Sequence, residues 1–147
     1  MKTKKIITLA LCFVVAILCL GYVGIRSFTK NIYNSQSCEW ANIDNIEMRA
    51  MVDVPKIESS ECEYDTISKT KKVVFTLDKE LNVEEYISKN NLQKLASTEK
   101  WSALNLKPEE INTQTFYIRE KTTQWESYEI LLDSKSRKLW INLKYLD

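Results

Sequence analysis

The sequence predicts an α+β protein in which a single N-terminal transmembrane helix is followed by a small antiparallel β-sheet domain packed by one main α-helix. Two observations lead to this fold class: an uncharged apolar run covers residues 6–25, and apolar residues alternate with polar ones in several later segments. A helix-start motif at Asn82 adds the helix. The chain has 147 residues, which is enough for one domain with its own core.

The N-terminal apolar run has the length of a membrane span. Lys2, Lys4 and Lys5 precede it, and Arg26 follows it. Its 20 residues would extend about 30 Å as a helix, which matches the hydrocarbon core of a bilayer. The basic flank favours a cytoplasmic N-terminus. We therefore expect a retained signal-anchor helix, with a cleaved signal peptide as the alternative.

This interpretation divides the chain into four parts. Residues 1–5 are cytoplasmic, residues 6–25 span the membrane, residues 26–37 form a polar tether, and residues 38–147 form an α+β domain on the outer side. The chain is rich in Lys, Asn and Ile and has no Asn-X-Ser/Thr sequon, which is typical of a bacterial envelope protein. We expect a single-pass protein of the bacterial inner membrane with its C-terminal domain in the periplasm.

The four cysteines support an outer location for the domain. Cys12 and Cys19 lie inside the apolar run, so Cys38 and Cys62 are the only pair in the polar part. In an oxidising compartment these two are expected to form a disulfide, closing a loop of 25 residues and stabilising the fold by about 3 kcal/mol. Two separate buried thiols are the alternative. A metal site is disfavoured because no histidine could complete it.

Two absences limit the chemistry. The chain has no histidine, and its only glycines, Gly21 and Gly24, lie in the apolar run. Phosphate-binding loops and nucleophile elbows need glycine, while serine and cysteine triads need histidine. We expect no enzyme activity, no catalytic residue and no cofactor, with an acid-pair hydrolase as the minor alternative. Turns of the outer domain must then use Asn, Asp, Ser or Pro, with right-handed turns wherever Asn is absent.

Alternation predicts the first half of the outer domain. A first strand is predicted over residues 48–54, where apolar side chains occupy every second position before Pro55, and a hairpin is predicted over residues 61–78. Asn82 and Glu85 form a capping box that begins a helix, and Asn90-Asn91 can end it in the left-handed conformation. We expect this helix to lie across the sheet.

The C-terminal half ends in a three-stranded antiparallel unit. Residues 113–121 are predicted to form a strand, and the last two strands pair with Asp133 opposite Lys138. This register places Ile130 opposite Ile141 on one face and Leu131 opposite Trp140 on the other. Leu131 and Trp140 are a candidate apolar partner surface if that face is open. If residues 92–111 cover it, they are core.

An acidic segment is the second candidate interface. Residues 39–65 contain eight acidic and two basic residues, whereas the rest of the domain is slightly basic. Glu58, Glu61, Glu63 and Asp65 could attract a protein with a basic surface, and an ordinary solvated sheet face is the alternative. Nucleic-acid binding is disfavoured because no basic stripe is present.

Together these features predict a non-catalytic, membrane-anchored domain that binds another protein. In layout, the chain resembles the membrane-anchored periplasmic immunity proteins that occlude bacterial toxins, although no motif carries this resemblance and no residue role is transferred. An accessory subunit of an envelope assembly or signalling complex, acting through its transmembrane helix, is one alternative. A small-ligand or lipid-binding module with a deep apolar pocket is another.

Overall fold

The computed structural model describes residues 2–40, 42–96 and 114–146, and it confirms the predicted α+β class. The described helices are α1 (Lys2–Tyr33), α2 (Asn42–Ala50) and α3 (Val83–Lys89). The described strands are β1 (Ile57–Asp65), β2 (Thr70–Leu77), β3 (Gln93–Lys94), β4 (Phe116–Thr122), β5 (Glu126–Asp133) and β6 (Lys138–Tyr145). They form one sheet in the order β1-β2-β6-β5-β4-β3, and every neighbouring pair is antiparallel.

Helix α1 is longer than the predicted span. Its segment Leu11–Tyr33 is long and apolar enough to cross a membrane, and none of its most apolar window is buried against the domain. The predicted tether over residues 26–37 is wrong for residues 26–33, which continue the helix. The helix continues because this stretch contains no glycine or proline and because Ile32 is buried against the domain. The long apolar helix therefore runs directly into the folded domain.

The predicted first strand over residues 48–54 is also wrong, because helix α2 extends into this region as far as Ala50. Ile46 and Ala50 lie four residues apart and are both fully buried, so the helical period places them on one face. Met48, which the alternation would have buried, is exposed. Met51 then ends the helix with φ of 50°, in the left-handed region.

The predicted hairpin and capped helix are confirmed. Strands β1 and β2 pair with Cys62 opposite Val73, and β1 begins earlier than predicted, at Ile57. The Asn82 side chain accepts a hydrogen bond from the Glu85 backbone N–H at 3.3 Å, and Asn91 has φ of 53°. Instead of one main helix, α2 and α3 both contribute to the core on the same sheet face.

The predicted register of the terminal hairpin is confirmed at every position. Asp133 lies opposite Lys138, Ile130 opposite Ile141 and Leu131 opposite Trp140. The main core lies on the face that carries Ile130 and Ile141, whose side chains are fully buried. A smaller cluster lies on the opposite face and joins Leu95, Phe116 and Leu131, with Ile118 and Trp140 packed against it.

The turns differ from the expectation that only asparagine would adopt left-handed backbone. Lys69 and Arg137 have φ of 49° and 58°, at the ends of the β1–β2 and β5–β6 turns. Each such residue costs about 1 kcal/mol relative to glycine or asparagine. Arg137 offsets this cost, since its guanidinium donates hydrogen bonds to the carbonyls of Asp78 at 2.9 Å and Leu81 at 3.1 Å.

Candidate functional site

The C-terminal end of α1 is capped by side chains from α2. The last carbonyls of a helix have no partner within it, so they must find donors elsewhere. Asn45 Nδ2 donates to the carbonyls of Ile32 and Tyr33, both at 3.0 Å, and Arg49 Nε donates to the Tyr33 carbonyl at 2.9 Å. Asn45 and Arg49 lie four residues apart on the buried face of α2. Side chains of α2 thus supply the hydrogen-bond donors that the last carbonyls of α1 lack within the helix.

A buried ion pair connects the same residues to the sheet. Arg49 Nη1 lies 2.9 Å from Glu126 Oε2, and the Arg49 side chain is only 1% exposed. The Tyr33 hydroxyl donates to the same carboxylate oxygen at 3.2 Å, and the Arg49 guanidinium lies 3.6 Å from the centroid of the Tyr33 ring. Such a pair needs these extra hydrogen bonds because burial removes both charges from water.

Lys71 adds a second buried cation from β2. Its Nζ donates to Asn45 Oδ1 at 2.9 Å and to the Ser35 carbonyl at 3.3 Å, and the Tyr145 hydroxyl donates to the same Asn45 oxygen at 2.8 Å. Burial, together with the positive charge of Arg49, lowers the pKa of Lys71 to about 8. We name Asn45, Arg49, Lys71, Glu126 and the end of α1 the junction cluster.

Lys71 is enclosed within the junction cluster. A lysine with a lowered pKa can act as a base or nucleophile when a substrate reaches it. Lys71 is fully buried, and its Nζ is held by acceptors from Ser35 and Asn45. The cluster therefore holds α1 in a set orientation on the sheet.

The disulfide reinforces this attachment. Cys38 and Cys62 are joined with an S–S distance of 2.02 Å and a Cα–Cα distance of 5.7 Å, which connects the chain just after α1 to β1. The Tyr64 hydroxyl donates to Gln36 Oε1 at 2.5 Å beside it. The remaining part of the predicted tether, residues 34–37, is thus held against the sheet. A disulfide of this kind is typical of an oxidising compartment.

The predicted acidic residues all lie on β1, at the edge of the sheet. Glu58, Glu61, Glu63 and Asp65 are exposed. Glu61, Glu63 and Asp65 point away from the main core, because Cys62 and the other alternate residues lie opposite buried positions of β2. Glu58 lies at the irregularity between Ile57 and Ser59.

Asp65 has a structural role in the turn that follows β1. Its carboxylate accepts hydrogen bonds from the Ser68 hydroxyl at 2.8 Å and from the Ile67 backbone N–H at 2.8 Å. These hydrogen bonds, with the Ser68 hydroxyl first, hold the pKa of Asp65 below its ordinary value. Among the described residues, the exposed acidic surface of β1 that has no such turn contacts is therefore centred on Glu61 and Glu63.

Leu131 is fully buried, which corrects its predicted role in a partner surface. Leu95 and Phe116 pack with it, and Trp140 is half-buried with its ring centroid 5.9 Å from that of Phe116. Of the two alternatives for this face, cover by residues 92–111 is the one that Leu95 supports. Trp101 and the rest of residues 97–111 lie outside the described residues.

Sequence reasoning missed the junction cluster. The available signal was the pair Asn45 and Arg49 at helical spacing beside Ile46 and Ala50, which marks a helix face that is partly polar yet buried. Lys71 occupies a core-facing position in the alternation of β2. Among residues 2–40, 42–96 and 114–146, no group of three or more cysteine, aspartate or glutamate side chains is placed to hold a metal ion.

Three comparisons with known proteins found no match for this chain. The chain matches no protein-family model, no curated protein and no solved structure.

Proposed function

We propose that this protein is a non-catalytic, single-pass protein of the bacterial inner membrane whose periplasmic domain binds another protein along β1. One observation carries this proposal: a nine-residue edge strand with an exposed acidic surface is held in place relative to the membrane helix. A partner that approaches the membrane would meet this strand in a set position.

The edge position suits strand addition. β1 is the first strand in the sheet order, and Glu58, Ser59, Ser60 and Glu61 are exposed in succession. An edge strand presents unpaired backbone N–H and C=O groups, which can bind an extended segment of another protein. The strand contains no proline, so its backbone donors are complete.

Charge indicates the kind of partner. Glu61 and Glu63 project from one face of β1 and would attract a basic segment while repelling acidic ones. A toxin with a basic surface is one such partner, and binding at β1 would occlude it close to the membrane. An immunity function is therefore the specific form of this proposal.

Site-directed photo-crosslinking in intact cells tests the proposal. A photoreactive amino acid at Glu61 is expected to give a discrete crosslinked protein, and the same residue at Lys135, exposed in the β5–β6 turn, is the matched control. With that partner purified, the double variant Glu61→Lys/Glu63→Lys is expected to bind at least tenfold more weakly at low salt, with a smaller effect at high salt. Equal crosslinking from both positions, or an unchanged affinity, would contradict it.

A released domain separates this function from action through the membrane helix. In this variant a cleavable signal replaces residues 1–26, and residues 27–147 are kept because Ile32 and Tyr33 belong to the folded domain. Retained partner binding shows that the domain is sufficient. Loss of binding by a folded, disulfide-bonded domain would favour the accessory-subunit alternative.

A further inference from the structure

Several large apolar side chains are exposed on the domain near the place where α1 enters it. Ile67 is 95% exposed, Trp40 57%, Trp125 52% and Leu146 45%. Single exposed apolar residues are ordinary, but a group of them at one end of a domain marks an interaction surface. We therefore expect this end of the domain to contact a partner or a membrane.

The contact of Trp40 with α1 indicates how far this surface lies from the hydrocarbon core of a bilayer that α1 would span. The Trp40 ring lies edge-on to the Phe28 ring, with centroids 5.9 Å apart. Phe28 follows the last residue of the uncharged run, Ile25, by three residues, which is about 4.5 Å of helix rise. One headgroup layer is about 5–8 Å thick, so Trp40 lies at headgroup depth when residues 6–25 span the bilayer.

Met48 lies beside the same helix. A groove of about 670 Å³ runs along α1 from Tyr22 to Tyr33, and Met48 of helix α2 lines it. The Met48 side chain is itself partly exposed. Helix α2 therefore adds an apolar side chain to the part of the domain that lies along α1.

The other three side chains lie at the sheet end that α1 contacts. The Leu146 N–H donates to the Trp125 carbonyl at 2.8 Å, and Trp125 precedes Glu126 of the junction cluster. The Tyr145 N–H donates to the Lys69 carbonyl at 2.9 Å, which brings the turn that carries Ile67 to the same end. Both turns thus lie around the C-terminal end of α1 at Tyr33, about 12 Å of helix rise beyond Ile25.

We propose that this end of the domain is a membrane-contact surface, in which Trp40 rests in the headgroup layer of the bilayer that holds α1, while Trp125, Ile67 and Leu146 face the outer side of that layer. The inference relies on the membrane anchoring in the proposed function. Tryptophan suits this layer because its ring is apolar while its indole N–H can donate to water or phosphate. The contact holds the domain against the bilayer, with β1 running from Asp65 at the membrane towards Ile57 away from it.

Depth-dependent fluorescence quenching tests this surface on the full chain. Single-tryptophan variants keep Trp40, Trp125 or Trp140 and replace the other tryptophans with phenylalanine, and each is reconstituted into phosphatidylethanolamine/phosphatidylglycerol vesicles with lipids brominated near the headgroup. Trp40 and Trp125 are expected to be quenched at least twofold more than Trp140. Trp140 is the matched control because it lies towards the opposite end of β6. Circular dichroism and an intact disulfide verify that each variant is folded.

A fourth variant separates this inference from the anchoring itself. It carries Tyr22→Trp as its only tryptophan, inside the predicted span. Strong quenching of this residue, with Trp40 or Trp125 quenched no more than Trp140, would overturn the membrane-contact surface and leave the anchor intact. Absence of quenching at position 22 would overturn the anchor as well.

Discussion

The β5–β6 hairpin and the junction cluster are held together in different ways. In the hairpin, apolar residues such as Ile130 and Ile141 face each other across adjacent strands and are fully buried. In the junction cluster, Arg49 and Glu126 are 77 residues apart, and Lys71 and Asn45 are 26 residues apart. Apolar packing in the hairpin tolerates small changes of shape, whereas each polar group in the cluster depends on one particular partner.

The largest effect is expected from Arg49→Ala. Removing this side chain leaves the Glu126 carboxylate buried without its cation and takes one donor from the Tyr33 carbonyl, which should cost about 3–5 kcal/mol of unfolding free energy. Urea unfolding of the full chain in detergent micelles measures the loss. The control is Lys89→Ala, whose ion pair with Asp53 at 2.9 Å is exposed and should contribute little. Equal losses in the two variants would remove the distinction between the buried cluster and the surface.

The disulfide is expected to contribute the next largest effect. Replacing Cys38 and Cys62 with serine should lower the unfolding free energy by about 3 kcal/mol, because the unfolded chain regains the freedom of the closed loop. The matched control replaces the free, exposed Cys12 and Cys19 with serine. A gel with thiol trapping in cells checks the bond directly, since free and readily labelled thiols at positions 38 and 62 would contradict an oxidising compartment.

The pH dependence of the unfolding free energy is expected to show that Lys71 is a buried cation. The pKa of this group is about 8 in the folded protein, against its ordinary 10.5, so the unfolded chain binds the proton more tightly. The unfolding free energy should therefore rise with pH through this window, by about 2 kcal/mol between pH 7 and pH 9.5. The measurement compares wild type with Lys71→Met, and parallel stability curves for the two proteins would show that Lys71 is not a buried cation.

The smallest effect is expected in the hairpin. Ile130→Val removes one buried methylene group and should cost about 1 kcal/mol, because the neighbouring apolar side chains can partly close the space. Urea midpoints at low and high salt should shift equally, since no charge is involved. A salt-dependent loss would mean that the hairpin depends on the polar network after all.

The parts that sequence reasoning predicted correctly are those whose partners lie close in the chain. The register around Asp133 and Lys138 satisfies both sheet faces at once, and a slip of one residue would expose every buried side chain of the hairpin. The Asn82 cap involves residues only three positions apart. The Cys38–Cys62 pair is the exception, since its residues are 24 positions apart; it was predicted because the polar part contains no other cysteine.

Tertiary contacts decided the rest. Alternation over residues 48–54 is compatible with a strand, but burial of Asn45, Ile46, Arg49 and Ala50 on one face makes residues 42–50 a helix. The polar stretch after Arg26 has the composition of a tether, yet it continues as helix because α2 and β2 supply donors to the carbonyls at and just beyond its end. The spacing of apolar residues can be read from neighbouring positions in the chain. The hydrogen-bond partners of buried polar groups, by contrast, depend on which distant segments the fold brings together.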